Sequence, residues 1–106
     1  MNNIYGYWRI VEMEVWDQDF IDAEVEGHFE FTPDNMGRFQ FGYVEGFMDC
    51  RYKKVHKTDK VEFSWDGNDE MTPASGRGEA VIEGNELVGR IYIHNGDDSE
   101  FTAVRL

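Results

Sequence analysis

Hydrophobic and polar residues alternate along most of this chain, and short turns rich in Gly, Asn and Asp separate the alternating runs. The pattern is clearest near the C-terminus, where runs over residues 77–83, 86–94 and 99–106 are joined by turns at 84–85 and 95–98. A period of two places successive side chains on opposite faces of a strand, and Gly and Asn accept the positive φ angles of tight turns. The pattern predicts antiparallel hairpins, because parallel strands need longer connections.

Five further runs with this alternation precede the C-terminal ones. The corresponding predicted strands cover residues 5–13, 28–32, 38–44, 47–53 and 60–65. In the first of them, Trp8 and Ile10 share one face and Met13 belongs to the other. Residues 14–26 lack period two, and Trp16 and Phe20 follow Met13 at the spacing of one side of a helical turn. A short helix or ordered loop is expected there, either to plug one end of the fold or to cover a pocket.

The middle of the chain gives more specific expectations. Phe39, Phe41 and Tyr43 share one face of a strand, and Gly46 separates that strand from the next one. In the next strand the face opposite Phe47 is expected to be buried. A long polar loop is expected at residues 66–75, because the sequence Thr-Pro within it interrupts a regular ladder.

These elements predict an all-β fold of about eight antiparallel strands in an up-and-down meander. The chain of 106 residues has room for one core, so we expect a single domain over residues 1–106. Closure of the meander into a barrel would remove its exposed edges. The aromatic content of 15% suits a β-rich interior and argues against disorder.

The first and last predicted strands carry residues of a known signature. Gly6-Tyr7-Trp8 lies in the first strand and Arg105 in the last. This combination resembles the calycins, the lipocalin and streptavidin-like barrels, whose first strand carries Gly-x-Trp and whose last strand carries an Arg that packs on the indole. The resemblance implies a closed barrel in which Gly6, Trp8 and Arg105 form a structural signature. The chain is much shorter than full-length lipocalins, so the resemblance does not imply their wide cavity.

The chain is also similar to a small uncharacterised bacterial family through three motifs that are spread over nearly its full length. The motifs are Trp16-Asp17-Gln18-Asp19, Glu62-Phe63-Ser64-Trp65 and His94-Asn95-Gly96-Asp97-Asp98. This resemblance implies no activity.

The charge of the chain narrows the choice of partners. The formal net charge is −12, from 22 acidic and 10 basic residues, and such a surface repels phosphate backbones and anionic lipids. We therefore predict neither a nucleic-acid nor a membrane partner. Half of the basic residues fall in residues 51–60, which indicates a solvated hairpin or, alternatively, a docking patch. The start of the chain lacks the features of a signal peptide and Cys50 is the only cysteine, so a cytoplasmic location is expected.

Candidate chemistry is sparse. Asp66, Asn68 and Glu70 have the every-second-residue spacing that begins many calcium loops, although tight turns also favour Asp and Asn. The histidines and Cys50 lack zinc-site spacing. The sequence contains no catalytic motif of good specificity and nothing that indicates a cofactor.

Three functional hypotheses follow. The first is a binding module of the calycin type that holds a small apolar ligand, unless the interior aromatic residues simply fill the barrel. Its ligand-binding residues would be Trp8, Phe39, Phe41, Phe63 and Trp65, with Trp16 and Phe20 as the lid. The second hypothesis is an acidic interaction module, comparable to inhibitors and immunity proteins, that binds a basic protein. The third is an enzyme, which depends only on the acidic loops.

Overall fold

The computed structural model of the protein describes residues 3–105, which form eight antiparallel strands closed into a barrel. Each strand pairs with the next along the chain, and the last pairs with the first. The strands are β1 (Gly6–Met13), β2 (His28–Phe31), β3 (Met36–Phe41), β4 (Val44–Val55), β5 (Thr58–Asp69), β6 (Thr72–Glu83), β7 (Glu86–Ile93) and β8 (Asp98–Arg105), and the helix α1 (Gln18–Ile21) follows β1. The predicted fold class, the closure and the short helix are confirmed. Leu106, the predicted end of the last strand, lies outside the described residues.

The one helix in this part of the chain has four residues. Among residues 3–105, no helix has the length and apolar character needed to cross a membrane.

The turn between β3 and β4 differs from the prediction. The chain reverses at Gly42 and Tyr43, where Gly42 takes a φ of 59°, so Tyr43 is exposed and does not share the inner face of Phe41. Gly46 does not separate two strands but lies inside β4. A Cβ atom added at Gly46 would approach the ring of Phe39 to 2.6 Å, so this glycine admits a ring of the barrel interior.

The prediction of a long polar loop over residues 66–75 is wrong. Strand β5 continues to Asp69 and β6 starts at Thr72, so the connection is a two-residue turn of Glu70 and Met71. Pro73 lies in the ladder opposite Asn68. It is tolerated there because the ladder between β6 and β7 begins only at residue 76, which leaves this part of β6 as an edge.

A bulge in β1 reverses one predicted side-chain direction. Ile10 pairs with Ala103 and Glu12 pairs with Thr102, so Val11 is an extra residue in β1. The extra residue shifts the alternation by one position, and Met13 is therefore buried in the core together with Ile10.

Aromatic rings fill much of the barrel interior. Phe29 is fully buried and its ring centroid lies 4.4 Å from that of Phe101 and 5.3 Å from that of Phe39. The buried aromatic residues are Trp8, Phe29, Phe31, Phe39, Phe41, Phe63, Trp65 and Phe101. Ile4 is fully buried near the start of β1, and Ile21 of α1 is fully buried near the end of β1. Both ends of the interior are therefore covered by apolar side chains.

The barrel closes at a stack between the first and last strands. Trp8 pairs with Arg105, whose guanidinium carbon lies 4.0 Å from the centroid of the indole. The guanidinium also donates to the carbonyl oxygens of Asn3 and Tyr5, the latter at 2.7 Å. Gly6 has a φ of 119°, and a Cβ atom there would lie 2.7 Å from the Arg105 guanidinium. The predicted structural signature of Gly6, Trp8 and Arg105 is therefore present in space.

We expect Arg105→Ala to lower the free energy of unfolding by about 1 kcal/mol or more, because the stack and the carbonyl contacts are lost together. Chemical denaturation of the single variants and of the double variant with Trp8→Phe measures the coupling. Arg38→Ala is the matched control, because the exposed ion pair of Arg38 with Glu30 contributes about 0–1 kcal/mol. Strictly additive effects of the Arg105 and Trp8 substitutions would contradict a stabilising interaction between the two stacked side chains.

We also expect Phe29→Ala to lower the free energy of unfolding by about 3–5 kcal/mol, because its ring contacts four other rings in the interior. Phe47→Ala provides the comparison, since that side chain is exposed and its loss should change stability by about 0.5 kcal/mol or less. Similar effects of the two substitutions in urea unfolding would contradict the packing described here.

Candidate interaction surface

Five of the seven aromatic residues predicted to bind a ligand form one chain of ring contacts, and these are Trp16, Phe20, Phe39, Phe41 and Trp65. Trp16 lies near the start of α1, with its ring centroid 4.9 Å from Phe41 and 6.0 Å from Phe20. Trp8 lies near the opposite end of the barrel, stacked beneath Arg105. Trp8 therefore lies apart from the predicted lid residues.

The other predicted ligand residues pack against rings of the interior. Phe39 contacts Trp65 edge to face at 5.0 Å, and Phe63 lies 6.2 Å from Phe29 and 6.4 Å from Phe31. Five recesses formed by residues 3–105 have volumes of 340–700 Å³, and none of these five is lined by Phe39, Phe63 or Trp65. Binding of an apolar ligand inside the barrel stays a prediction.

The residues predicted to bind calcium lie on a strand and a tight turn. Asp66 and Asn68 are exposed on the outer face of β5, and Glu70 begins the turn that follows. Alternate side chains of a strand are about 6.7 Å apart, whereas a calcium loop wraps its oxygens around one ion. The calcium site was predicted from the spacing of a calcium loop, whereas these three residues lie on a strand and a two-residue turn. Among residues 3–105, no group of three His, Cys, Asp or Glu side chains is arranged to hold a metal ion.

The two ends of the barrel differ in charge. The basic hairpin predicted from the sequence is the tip of β4 and β5, and three of its four lysines, Lys53, Lys54 and Lys60, are paired with carboxylates. Lys54 lies 2.7 Å from Asp59, and Lys53 lies 3.0 Å from Glu62. Most of the positive charge at this end is therefore neutralised within the protein.

The opposite end carries carboxylates without cations. We call it the acidic end, and it includes α1 with the segment that follows it, the turns at Gly42 and Tyr43 and at Glu70 and Met71, and the turn between β7 and β8. Among the described residues, no Lys, Arg or His nitrogen lies within 4.0 Å of the carboxylates of this group. Its members are Asp17, Asp19, Glu24, Glu45, Asp66, Asp69, Glu70 and Asp97.

Exposed apolar side chains lie among these carboxylates. Met71 is 93% exposed, Phe47 60% and Tyr43 41%. In the ladder of β4 and β5, Phe47 pairs with Asp66 and Glu45 pairs with Asn68, so apolar and polar side chains alternate over the outer surface. We call this surface the acidic face, and its residues are Tyr43, Glu45, Phe47, Asp66, Asn68, Glu70 and Met71.

Two recesses lie on the acidic face. One, of about 510 Å³, is lined by Tyr43, Glu45 and Met71 among others. The second, of about 640 Å³, lies beside Phe47 and has Gly67 and Ala74 in its lining. Small residues at this place keep the recess open next to the exposed ring of Phe47.

The acidic face is held in place by backbone hydrogen bonds between neighbouring turns. The N–H of Glu70 donates to the carbonyl oxygen of Tyr43 at 2.9 Å, and the N–H of Gly42 donates to that of Ile21 at the same distance. Glu70 and Met71 have φ angles of 51° and 73°, which residues other than Gly and Asn rarely adopt. The geometry of a two-residue turn, and not a flexible loop, thus fixes the position of Met71.

Asp22 organises the segment between α1 and β2, which also carries Glu24. Its carboxylate accepts hydrogen bonds from Gln18 Nε2 at 2.9 Å and from the N–H of Gly27 at 2.8 Å, and it lies 3.5 Å from the Arg9 guanidinium. Burial by itself would raise the pKa of Asp22, but these hydrogen bonds and the charge of Arg9 outweigh it and hold the pKa below its ordinary value.

Comparison of the chain with protein-family models, with curated proteins and with solved structures finds no match. The fold therefore defines the class of protein, which is a small closed barrel of eight antiparallel strands, consistent with a calycin-like architecture. The first motif of the bacterial resemblance has a local role, because the Asp17 carboxylate caps α1 by accepting from the N–H of Phe20 at 2.9 Å.

We expect Asp22→Asn to lower the free energy of unfolding by about 1 kcal/mol near neutral pH. The pKa of Asp22 is lower in the folded than in the unfolded protein, so its stabilisation is complete above the unfolded value, roughly pH 4, and is lost as the pH falls through the folded value. The difference between the two proteins should therefore shrink in acid. Asp19→Asn, an exposed carboxylate of α1, is the control, and a difference for Asp22→Asn that is constant in urea unfolding down to roughly pH 2 would contradict this account.

Proposed function

We propose that this protein is an interaction module that binds a basic protein partner through its acidic end. The observation that supports the proposal is the distribution of ion pairs. At the tip of β4 and β5, Lys53, Lys54 and Lys60 are paired with carboxylates. At the acidic end, Glu45, Asp66 and Glu70 have no cation within 4.0 Å in the described part of the chain. A cationic partner would supply the missing counter-charges.

The charge of the whole protein favours the same kind of partner. A net charge of −12 attracts a cationic protein over distances of about 10 Å at moderate salt and raises the rate of association. The exposed apolar residues of the acidic face would then supply short-range contact after the encounter. Electrostatic steering and an apolar contact area at the centre of the interface are common features of specific complexes between proteins.

A calycin-type module with an apolar ligand remains the alternative proposal. The closed barrel and the stack of Trp8 and Arg105 support kinship with calycins. A ligand inside the barrel would have to separate rings that now contact one another, such as Phe29 and Phe101. Binding of a partner at the outer surface needs no such rearrangement. We therefore favour the interaction module over the module with an interior apolar ligand.

The test is an affinity capture at low salt with the protein as bait, followed by purification of the captured protein and measurement of its association kinetics. We expect a protein of net positive charge whose association rate falls by about tenfold or more between low and physiological ionic strength. The triple variant Glu45→Gln, Asp66→Asn, Glu70→Gln should associate more slowly by a similar factor.

The control is the triple variant Glu79→Gln, Glu83→Gln, Glu86→Gln, which removes the same number of charges from β6 and β7. It should retain most of the association rate, because its carboxylates lie away from the acidic end. Equal loss in the two triple variants, or a partner whose binding does not depend on salt, would contradict the proposal.

A further inference from the structure

We infer, on the basis of the proposed function, that the partner contributes an extended segment whose side chains alternate apolar, basic, apolar, and that this segment lies along the outer side of β4 on the acidic face. Tyr43, in the turn before β4, and Glu45 and Phe47 of β4 are alternate residues of the chain and are all exposed, so aromatic, acidic and aromatic groups follow one another. The inference specifies both the surface and the chemistry of the segment that fits it.

The spacing of these residues selects an extended segment. Exposed side chains on one face of β4 repeat at about 6.7 Å, and side chains on one face of an extended chain repeat at the same distance. The turns of a helix repeat at about 5.4 Å and would lose register over three contacts. An extended segment therefore places its third and fifth side chains over Glu45 and Phe47, and its first side chain beside Tyr43 in the turn before β4.

The segment has to bind through its side chains. Strand β4 pairs with β3 on one side and with β5 on the other, from Val44 to Asp49, so its backbone has no free edge in this region. Addition of a further strand to the barrel is excluded here, in contrast to the common recognition of peptides by sheet edges. Specificity must therefore come from the apolar and charged groups that project from the face.

The apolar contacts would centre on Phe47. Its ring is 60% exposed and borders the recess of about 640 Å³, which can receive an aliphatic side chain of the segment. Exposed aromatic residues beside such recesses are the usual anchors of protein interfaces. The second apolar side chain would contact the exposed side chains of Tyr43 and Met71 at the rim of the recess of about 510 Å³.

The charge of the central side chain follows from Glu45. This carboxylate lies between the two aromatic residues along β4 and has Asn68 beside it in the ladder. Glu70 lines the same recess as Glu45, and neither carboxylate has a cation within 4.0 Å among residues 3–105. A Lys or Arg side chain is complementary to this position, whereas an acidic side chain would be repelled.

The test uses end-blocked peptides and the ¹⁵N-labelled protein at low salt. The matching probe is Leu-Thr-Lys-Thr-Leu, and we expect saturable shifts of amide signals concentrated at Glu45, Phe47, Asp66 and Asn68. The out-of-phase peptide Leu-Leu-Lys-Thr-Thr, of the same composition, should bind at least about fivefold more weakly, because only one of its leucines can reach a recess. The charge-reversed peptide Leu-Thr-Glu-Thr-Leu should not bind.

Two substitutions with matched controls assign the contacts. Phe47→Ser should weaken binding of the matching peptide by about fivefold or more, whereas Val55→Ser, at an exposed apolar position near the far end of the same strand, should leave it unchanged. Glu45→Gln should weaken binding by about twofold to threefold and reduce its salt dependence, whereas Glu79→Gln should not. All four positions are exposed, so the variants are expected to fold.

The outcomes separate this inference from the proposed function. Saturable binding that maps elsewhere, equal binding of the in-phase and out-of-phase peptides, equal effects of Phe47→Ser and Val55→Ser, or no binding of any peptide would overturn the inference. In each of these cases the proposed function is decided separately by the capture and its salt dependence. Equal binding of the charge-reversed peptide would overturn the inference and also contradict a cationic partner.

Discussion

The closure of eight short strands around a narrow interior is the constraint on which the rest of this structure depends. Closure requires β1 to pair with β8, and the stack of Trp8 and Arg105 stabilises the place where they meet. The interior that results contains rings at centroid distances of 4.4 to 6.4 Å, such as those around Phe29. In a barrel of this size the aromatic residues supply the core of the protein.

The narrow interior also explains residues that alternation alone does not require. Phe39 and Trp65 both lie against Gly46, where any Cβ atom would meet one of the two rings at 2.6 to 2.7 Å. Strand β4 therefore needs a residue without a side chain at one inward position, although glycine weakens a strand by itself. Tyr43 lies outside the barrel for a different reason, because the chain has already turned at Gly42 when it reaches that residue.

The sequence allowed the prediction of features that depend on neighbours along the chain or on a strong signature. Alternation correctly predicted the all-β meander, and the Gly-x-Trp and Arg pair correctly predicted which strands meet. The bulge at Val11 and the continuous hairpin around Pro73 could not be predicted, because each depends on the register of the partner strands. The acidic face was missed for the same reason. Its local signals were Phe47, which alternation placed on the face opposite the expected buried one, and the acidic run with Asp66, Asn68 and Glu70, which was interpreted as a calcium loop.

Backbone strain alone does not identify the functional surface of this protein. The turn of Glu70 and Met71 adopts positive φ angles that cost about 1–2 kcal/mol per residue, but His56 and Lys57 adopt similar angles at the basic end. The two turns differ in their surroundings. Near the turn of His56 and Lys57, Lys53 and Lys54 are paired with carboxylates, whereas at the acidic end an almost fully exposed Met71 lies among like charges that repel one another in the isolated protein. Unpaired charge and exposed apolar area both oppose stability, and a cationic, partly apolar partner would relieve both at the same surface.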